Sequence, residues 1–170
     1  CRNTTLLFAR GTSETTNMGG LALAAALRTR LGSSAVAQGI SYPADMLGAI
    51  TGALDPKNAD GSVDCDNKIG TLLLYCPSTR IVISGYSRAN SLKVCYIHLT
   101  IQPSAIEHNC RATVTFGDPL SKTSFDKISS RRAQVFCNAG DPVCNGQFII
   151  TPAYLTYDTV AITPAVDFIA

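Results

Sequence analysis

Residues 80–90, RIVISGYSRAN, constrain the chain more than any other stretch. Ile81, Val82 and Ile83 form a short unbroken apolar run, the pattern of a strand buried on both faces. Gly85-Tyr86-Ser87-Arg88-Ala89 follows at once, and a helical pattern follows that. The small residues two before and two after Ser87 allow a sharp strand-to-helix turn that lifts the hydroxyl above the sheet. The same turn aims the backbone N–H of Arg88, near a helix N-terminus, at a place where an oxyanion can be held. Gly-x-Ser-x-Ala is nevertheless permissive, and an ordinary turn that contains serine reads the same way.

The rest of the chain repeats the strand-then-helix rhythm. Thr4 to Ala9 reads as a buried strand running into the polar loop Arg10-Gly11-Thr12-Ser13-Glu14. Gly20, Leu23, Ala24, Leu27 and Leu31 recur at helical spacing, with Gly32 placed to cap the C-terminus. Val36 to Tyr42 reads as a second strand stopped by Pro43, and residues 44–60 as a loop-rich crossing. Asp64 or Asp66 is expected to cap a helix that buries Ile69, Leu72, Leu73 and Cys76 and stops at Pro77. After Ser87 a helix burying Leu92, Cys95, Tyr96 and Leu99 is expected, ending before Pro103. Ala112 to Phe116 and Ala133 to Cys137 are the last strands, and the apolar segment after Pro152 reads as helical. Strands alternating with helices imply a mainly parallel sheet covered on both faces.

With 170 residues and 46% hydrophobic composition, the chain is expected to form a single domain, 1–170. A net charge of +2 and no basic run longer than Arg131-Arg132 argue against nucleic acid or a membrane surface as partner. No apolar stretch reaches the ~18 residues of a membrane span. The start at Cys1, without methionine or a signal peptide, reads as a processed form. Seven cysteines point to an oxidising, extracellular compartment, so secretion is expected, and the sequon Asn3-Thr4-Thr5 agrees.

A serine hydrolase on such a scaffold needs Ser, then an acid, then His in chain order. Asp141 follows a strand and stands between Cys137 and Cys144, where a disulfide would fix its position; a turn aspartate before proline reads equally well. No histidine follows it: the only two are His98 and His108. His98 lies three turns along the helix from Ser87, about 16 Å by helical rise. Cys95, His98, His108 and Cys110 lack the usual zinc spacing, so no metal is expected. An oxidising compartment favours a Cys95–Cys110 disulfide instead, with Cys65 left as a thiol.

The segments FARGTSETTNMG, CPSTRIVISGYS, FGDPL and CNAGDPVC, with the C-terminal segment, resemble the fungal cutinases and related acetylxylan esterases almost end to end. The resemblance implies small secreted serine esterases with a lidless, three-layer α/β-hydrolase fold around a mainly parallel five-stranded sheet. It puts Ser87 at the nucleophile, Asp141 at the triad acid, and Thr12 in the oxyanion hole beside the Arg88 backbone N–H. It pairs Cys1 with Cys76 and Cys137 with Cys144, and turns the loop carrying Phe148, Ile149, Ile150 and Leu155 toward the substrate crevice. Those loop residues read alternatively as core, at least half of them, at the start of the C-terminal helix.

The departures fall on the chemistry. The family's Pro-Ala-His-Leu-x-Tyr reads Pro152-Ala153-Tyr154-Leu155-Thr156-Tyr157, which puts Tyr154 at the base position, and the family's glutamine after the nucleophile is Arg88. A phenol with pKa near ~10 stays protonated at neutral pH and cannot take the serine proton as imidazole does. The Tyr154 phenol is expected to donate to Asp141 instead, and the Arg88 guanidinium is free to pair with the same carboxylate. Two readings follow. One is a secreted, monomeric, cofactor-free protein that has lost hydrolysis and binds an ester, a lipid-like ligand or a host component. The other is a carboxylic-ester hydrolase that uses Ser87 and Asp141 with an atypical base.

Overall fold

The computed structural model describes residues 1–12, 14, 18–45, 47–48, 61–87, 108–125 and 128–170. Its centre is β1 (Thr4–Ala9), all six residues of which are buried. Their side chains alternate between two cores because successive strand residues point to opposite faces. Leu7 and Ala9 join Ile81 and Ile83 on one face, and Leu6 joins Val82 and Val114 on the other. Both faces are therefore covered, as an unbroken apolar run requires.

The sheet adds β2 (Ala35–Gly39), β3 (Arg80–Tyr86), β4 (Cys110–Phe116) and β5 (Ala133–Phe136) in the spatial order β2-β1-β3-β4-β5, and every pairing is parallel. One layer over it is α1 (Met18–Leu31), which buries Leu23, Ala24 and Leu27 beside the C-terminal helices. The opposite face carries α2 (Ser62–Tyr75), which buries Cys65 and Ile69 and packs Leu72 and Leu73 against Ile40 and Tyr42. This is a three-layer α/β-hydrolase arrangement. Side chains such as Leu6, Leu7, Leu23, Leu27, Ile69, Ile83 and Ile169 are fully buried, each contributing about 1.5–3 kcal/mol against the entropy of ordering the chain.

Chain order reverses between β1 and β3: β2 lies to one side of β1, and β3, β4 and β5 lie to the other. In open parallel sheets the crevice at such a reversal, beyond the carboxyl ends of the strands, is where ligand-binding groups gather. Here it is flanked by the loop after β1 and by Ser87 after β3.

Several boundaries differ from the sequence expectation. β2 stops at Gly39, paired with Phe8, one residue before β1 itself ends at Ala9; Ile40 still donates its N–H to Phe8 O (2.9 Å), and Tyr42 turns into the core. Neither Asp64 nor Asp66 caps α2: Gly61 does, in the left-handed region (φ +86°), and the Asp64 carboxylate accepts the Ser41 N–H (2.8 Å) and an ion pair from Lys68. Gly32, by contrast, is left-handed (φ +72°) just past α1, as a helix terminus favours. The segment after Pro152 is helical but broken into α3 (Pro152–Leu155), α4 (Tyr157–Val160) and α5 (Ile162–Ile169). At the first break the Thr156 hydroxyl donates to Ala153 O (3.2 Å), competing with the helical ladder. The helix expected after Ser87, with Arg88, Ala89, Leu92, Cys95, Tyr96, His98 and Leu99, lies outside the described residues, as does most of 44–60.

Disulfides join Cys1 to Cys76 and Cys137 to Cys144. Cys110 is buried at the start of β4, within the core, while Cys95, its expected partner, lies outside the described residues. Cys65, expected to be the leftover thiol, is instead disulfide-bonded, from a fully buried position on α2. His108 is exposed.

Candidate active site

β3 delivers the candidate nucleophile. It runs through Gly85 and Tyr86, and Ser87 then takes a left-handed conformation (φ +60°) that L residues other than glycine rarely adopt. Such strain costs on the order of 1–3 kcal/mol and persists only where surroundings enforce it. The Ser87 N–H donates to Phe116 O (2.7 Å), tying the turn to the end of β4. That is the geometry of a serine lifted off a sheet edge.

Asp141 follows β5 and is buried, in the loop that the Cys137–Cys144 bridge closes. Oδ1 accepts the Val143 N–H (2.9 Å), so the carboxylate caps the short 3₁₀ turn Pro142–Asn145. The turn-aspartate reading therefore describes its local role correctly. Its second oxygen is where sequence and structure part. Tyr157, not Tyr154, donates to Oδ2 (2.6 Å), and the Tyr157 oxygen in turn accepts the Asn138 N–H (2.9 Å). The Asn138 side chain donates to Ala153 O (2.8 Å), so the loop after β5 and helices α3 and α4 are laced together.

The Tyr154 hydroxyl instead lies beside the side chains of Ser87 and Tyr86, close enough for both to act on its pKa, and its ring is buried. Thr151 caps α3 by accepting the Tyr154 N–H (3.4 Å) and sets this ring over the sheet end. Tyr86 stacks on it with centroids 4.9 Å apart and donates its hydroxyl to Tyr154 O (2.7 Å). Tyr157 meets Tyr86 edge-on at 6.0 Å and Phe116 likewise at 6.0 Å. Burial pushes all three phenols above their ordinary value of 10.0; for Tyr154 the neighbouring side chains of Ser87 and Tyr86 oppose the rise without cancelling it. Gly117 makes the packing possible: with φ +57°, a Cβ there would stand 3.2 Å from both Asp141 Oδ2 and the Tyr157 ring.

The loop after β1 forms the opposite wall. The Glu14 carboxylate folds back to accept the Gly11 N–H (2.7 Å). Burial raises its pKa, against the opposing pull of that bond and of the Arg10 charge. Arg10 itself donates to Tyr42 O and lies over the Tyr42 ring, 5.1 Å from its centroid, while the Tyr42 hydroxyl donates to Arg10 O.

Between these walls is a cavity of about 360 Å³ lined by Phe8, Thr12, Glu14, Ala22, Tyr86, Phe116, Tyr154, Leu155, Tyr157, Asp158 and Ile162. Thr12, Tyr154 and Leu155 thus line one cavity; Ser87 is not among its lining residues, but the adjoining Tyr86 is. Ile149 and Ile150 do not line it. With Phe148 they are about half exposed, on an irregular surface segment between the Gly146 turn (φ +77°) and Pro152. Neither are they core, because the helix they were expected to begin starts only at Pro152. Sequence reasoning missed Tyr86, Tyr157 and Glu14. Tyr157 lies three residues after Tyr154, hence on the same side of a helical turn, and that spacing was the available signal. Among the described residues no cluster of His, Cys, Asp and Glu is arranged to hold a metal ion.

A left-handed serine just past the carboxyl end of a central parallel strand, with a buried acid on a later loop, is the arrangement of an α/β-hydrolase fold. The Cutinase family model matches residues 1–170, and the chain belongs to that family. The cutinase of Botryotinia fuckeliana is 38% identical over 169 residues, spanning 95% of this chain and 80% of that protein. Cutinase CUT2 of Pyricularia oryzae is 38% identical over 179 residues, spanning 100% and 80%. The structure of Trichoderma reesei cutinase in complex with a C11Y4 phosphonate inhibitor superposes with TM-score 0.86 at 30% identity, covering 99% of this chain and 75% of that one. The catalytic core of acetyl xylan esterase from Trichoderma reesei shares the fold, with TM-score 0.78 at 18% identity and coverage of 99% and 98%.

Proposed function

We propose that this is a secreted cutinase-family protein in which ester hydrolysis is lost or severely impaired and which acts by binding an ester or lipid-like ligand in the cavity beside Ser87. The observation that carries the reading is the partner of that serine: a buried phenol, Tyr154, whose pKa burial raises. A general base must be deprotonated at working pH, and a phenol held above 10.0 is not. The acid does not compensate, since among the described residues its oxygens accept bonds from Val143 and Tyr157 and lie by the Cys144 sulfur, and no bond goes to Ser87. Ser87, Asp141 and Thr12, with the Arg88 backbone N–H by resemblance, then form a scaffold that can orient an ester carbonyl without an activated nucleophile. Removing one member of a triad typically lowers turnover by ~10⁴ to 10⁶.

The test is release of nitrophenol from a short-chain ester by the parent, Tyr154→His and Ser87→Ala proteins, with phosphonate labelling of Ser87 alongside. The parent is expected to match the alanine control and to label poorly. Tyr154→His is expected to gain at least about a hundredfold in turnover and to label readily. Parent turnover that disappears in Ser87→Ala would overturn the proposal in favour of an active esterase with an atypical base.

A further inference from the structure

The lining of the cavity carries information about what it holds. Five of the lining residues are aromatic: Phe8, Tyr86, Phe116, Tyr154 and Tyr157. The tyrosines are locked against one another and against Phe116 by stacking and edge contacts between 4.9 and 6.0 Å, so they form a standing wall. Two further lining residues, Glu14 and Asp158, are carboxylates, and none of the described lining residues is basic. The guanidinium of Arg10, the cation that acts on Glu14, is engaged with the carbonyl and ring of Tyr42.

A purely apolar chain accounts for the rings but gains nothing from the charge of Glu14, which also holds the Gly11 N–H, or of Asp158 at the exposed rim. An anionic ligand is repelled by both. A weakly hydrated cation fits the whole set, because it is attracted to ring faces and to carboxylates and is inexpensive to strip of water. We infer that the cavity receives a quaternary ammonium group of the trimethylammonium type, carried by an ester, with Glu14 and Asp158 as its counter-charges. The inference deepens the proposed function and rests on it: the ligand is an ester held beside Ser87 without being turned over.

Calorimetric titration of the whole protein at pH 8 with three isosteres tests the charge preference: choline, 3,3-dimethyl-1-butanol and 3,3-dimethylbutanoate. Choline is expected to bind about tenfold or more tightly than the neutral alcohol, with the carboxylate weakest. Glu14→Gln, which keeps an acceptor for the Gly11 N–H, and Asp158→Asn are each expected to reduce the choline-to-alcohol ratio by about threefold or more. The inference is overturned if the alcohol binds as tightly as choline, if none of the three binds, or if neither variant moves the ratio. Acetylcholine and phosphocholine separate the sources of the cation. Acetylcholine is expected to bind more tightly, because the phosphate faces two carboxylates; the reverse order overturns the ester assignment in favour of a lipid headgroup. Acetylcholine hydrolysis that Ser87→Ala abolishes overturns the silent-serine reading while leaving the cation preference standing. A flat isostere series without hydrolysis does the opposite.

Discussion

On the proposed reading, two tyrosines three residues apart stand where a triad would use one imidazole. Tyr157 bonds the acid and Tyr154 lies beside the serine, and among the described residues no hydrogen bond joins the two. On that reading, proton transfer between Ser87 and Asp141 lacks a carrier among the described residues. The Tyr157 hydroxyl donates to a buried carboxylate, so Tyr157→Phe leaves Oδ2 of Asp141 without that donor. The expected loss is about 1.5–3 kcal/mol of stability at pH 7, read as a lower urea midpoint at unchanged slope. A midpoint within error of the parent would show that the bond is not formed in solution. Tyr154→Phe, whose lost hydroxyl faces another hydroxyl, is expected to lose less, about 1 kcal/mol.

Among the elements, α1 depends most visibly on one glycine. A Cβ at Gly20 would stand 2.6 Å from Cγ and Cδ1 of Phe8, atoms close to the β1 backbone that cannot swing aside. Gly→Ala inside a helix normally gains about 1 kcal/mol. Overpacking of this severity costs about 1–3 kcal/mol, so Gly20→Ala is expected to be a net loss, measurable by thermal unfolding. The strands were legible from the sequence because buried parallel strands are continuous apolar runs, as Leu6 to Ala9 and Ile81 to Ile83 show. Their ends were not, because pairing with a neighbour rather than local composition sets them: β2 ends at Gly39 opposite Phe8, one residue short of the end of β1, while β3 continues to Tyr86 opposite Phe116. Ser87, Asp141, Thr12 and Tyr154 were legible as motif positions. The Tyr157–Asp141 bond was not, because it depends on how the break at Thr156 rotates one short helix against the loop after β5. Helix caps failed for a similar reason: Asp64 has a better partner in Ser41, 23 residues away.

For the molecule as a whole, the Cys1–Cys76 bridge closes a loop that contains β1, α1, β2 and α2. Cys1→Ser with Cys76→Ser is expected to lower stability by about 2–4 kcal/mol, read by urea unfolding under non-reducing conditions. The raised phenols give a global pH dependence with a definite sign. In the unfolded chain Tyr86, Tyr154 and Tyr157 ionise near 10.0, whereas folding keeps them protonated to higher pH. Their contribution to stability is complete below that value. Above it the unfolded chain binds fewer protons, so stability falls as pH rises. The urea midpoint is expected to drop between pH 9 and pH 11, and to drop less in Tyr157→Phe; an unchanged midpoint across that window would contradict the burial of these rings.

The chain contains no tryptophan and only six tyrosines, three of which are packed together around Ser87. Its aromatic circular dichroism and ultraviolet emission should therefore be dominated by chromophores in one chiral cluster. Anything that enters beside that serine perturbs the spectrum directly, so the protein carries its own optical reporter of occupancy, and no label has to be attached.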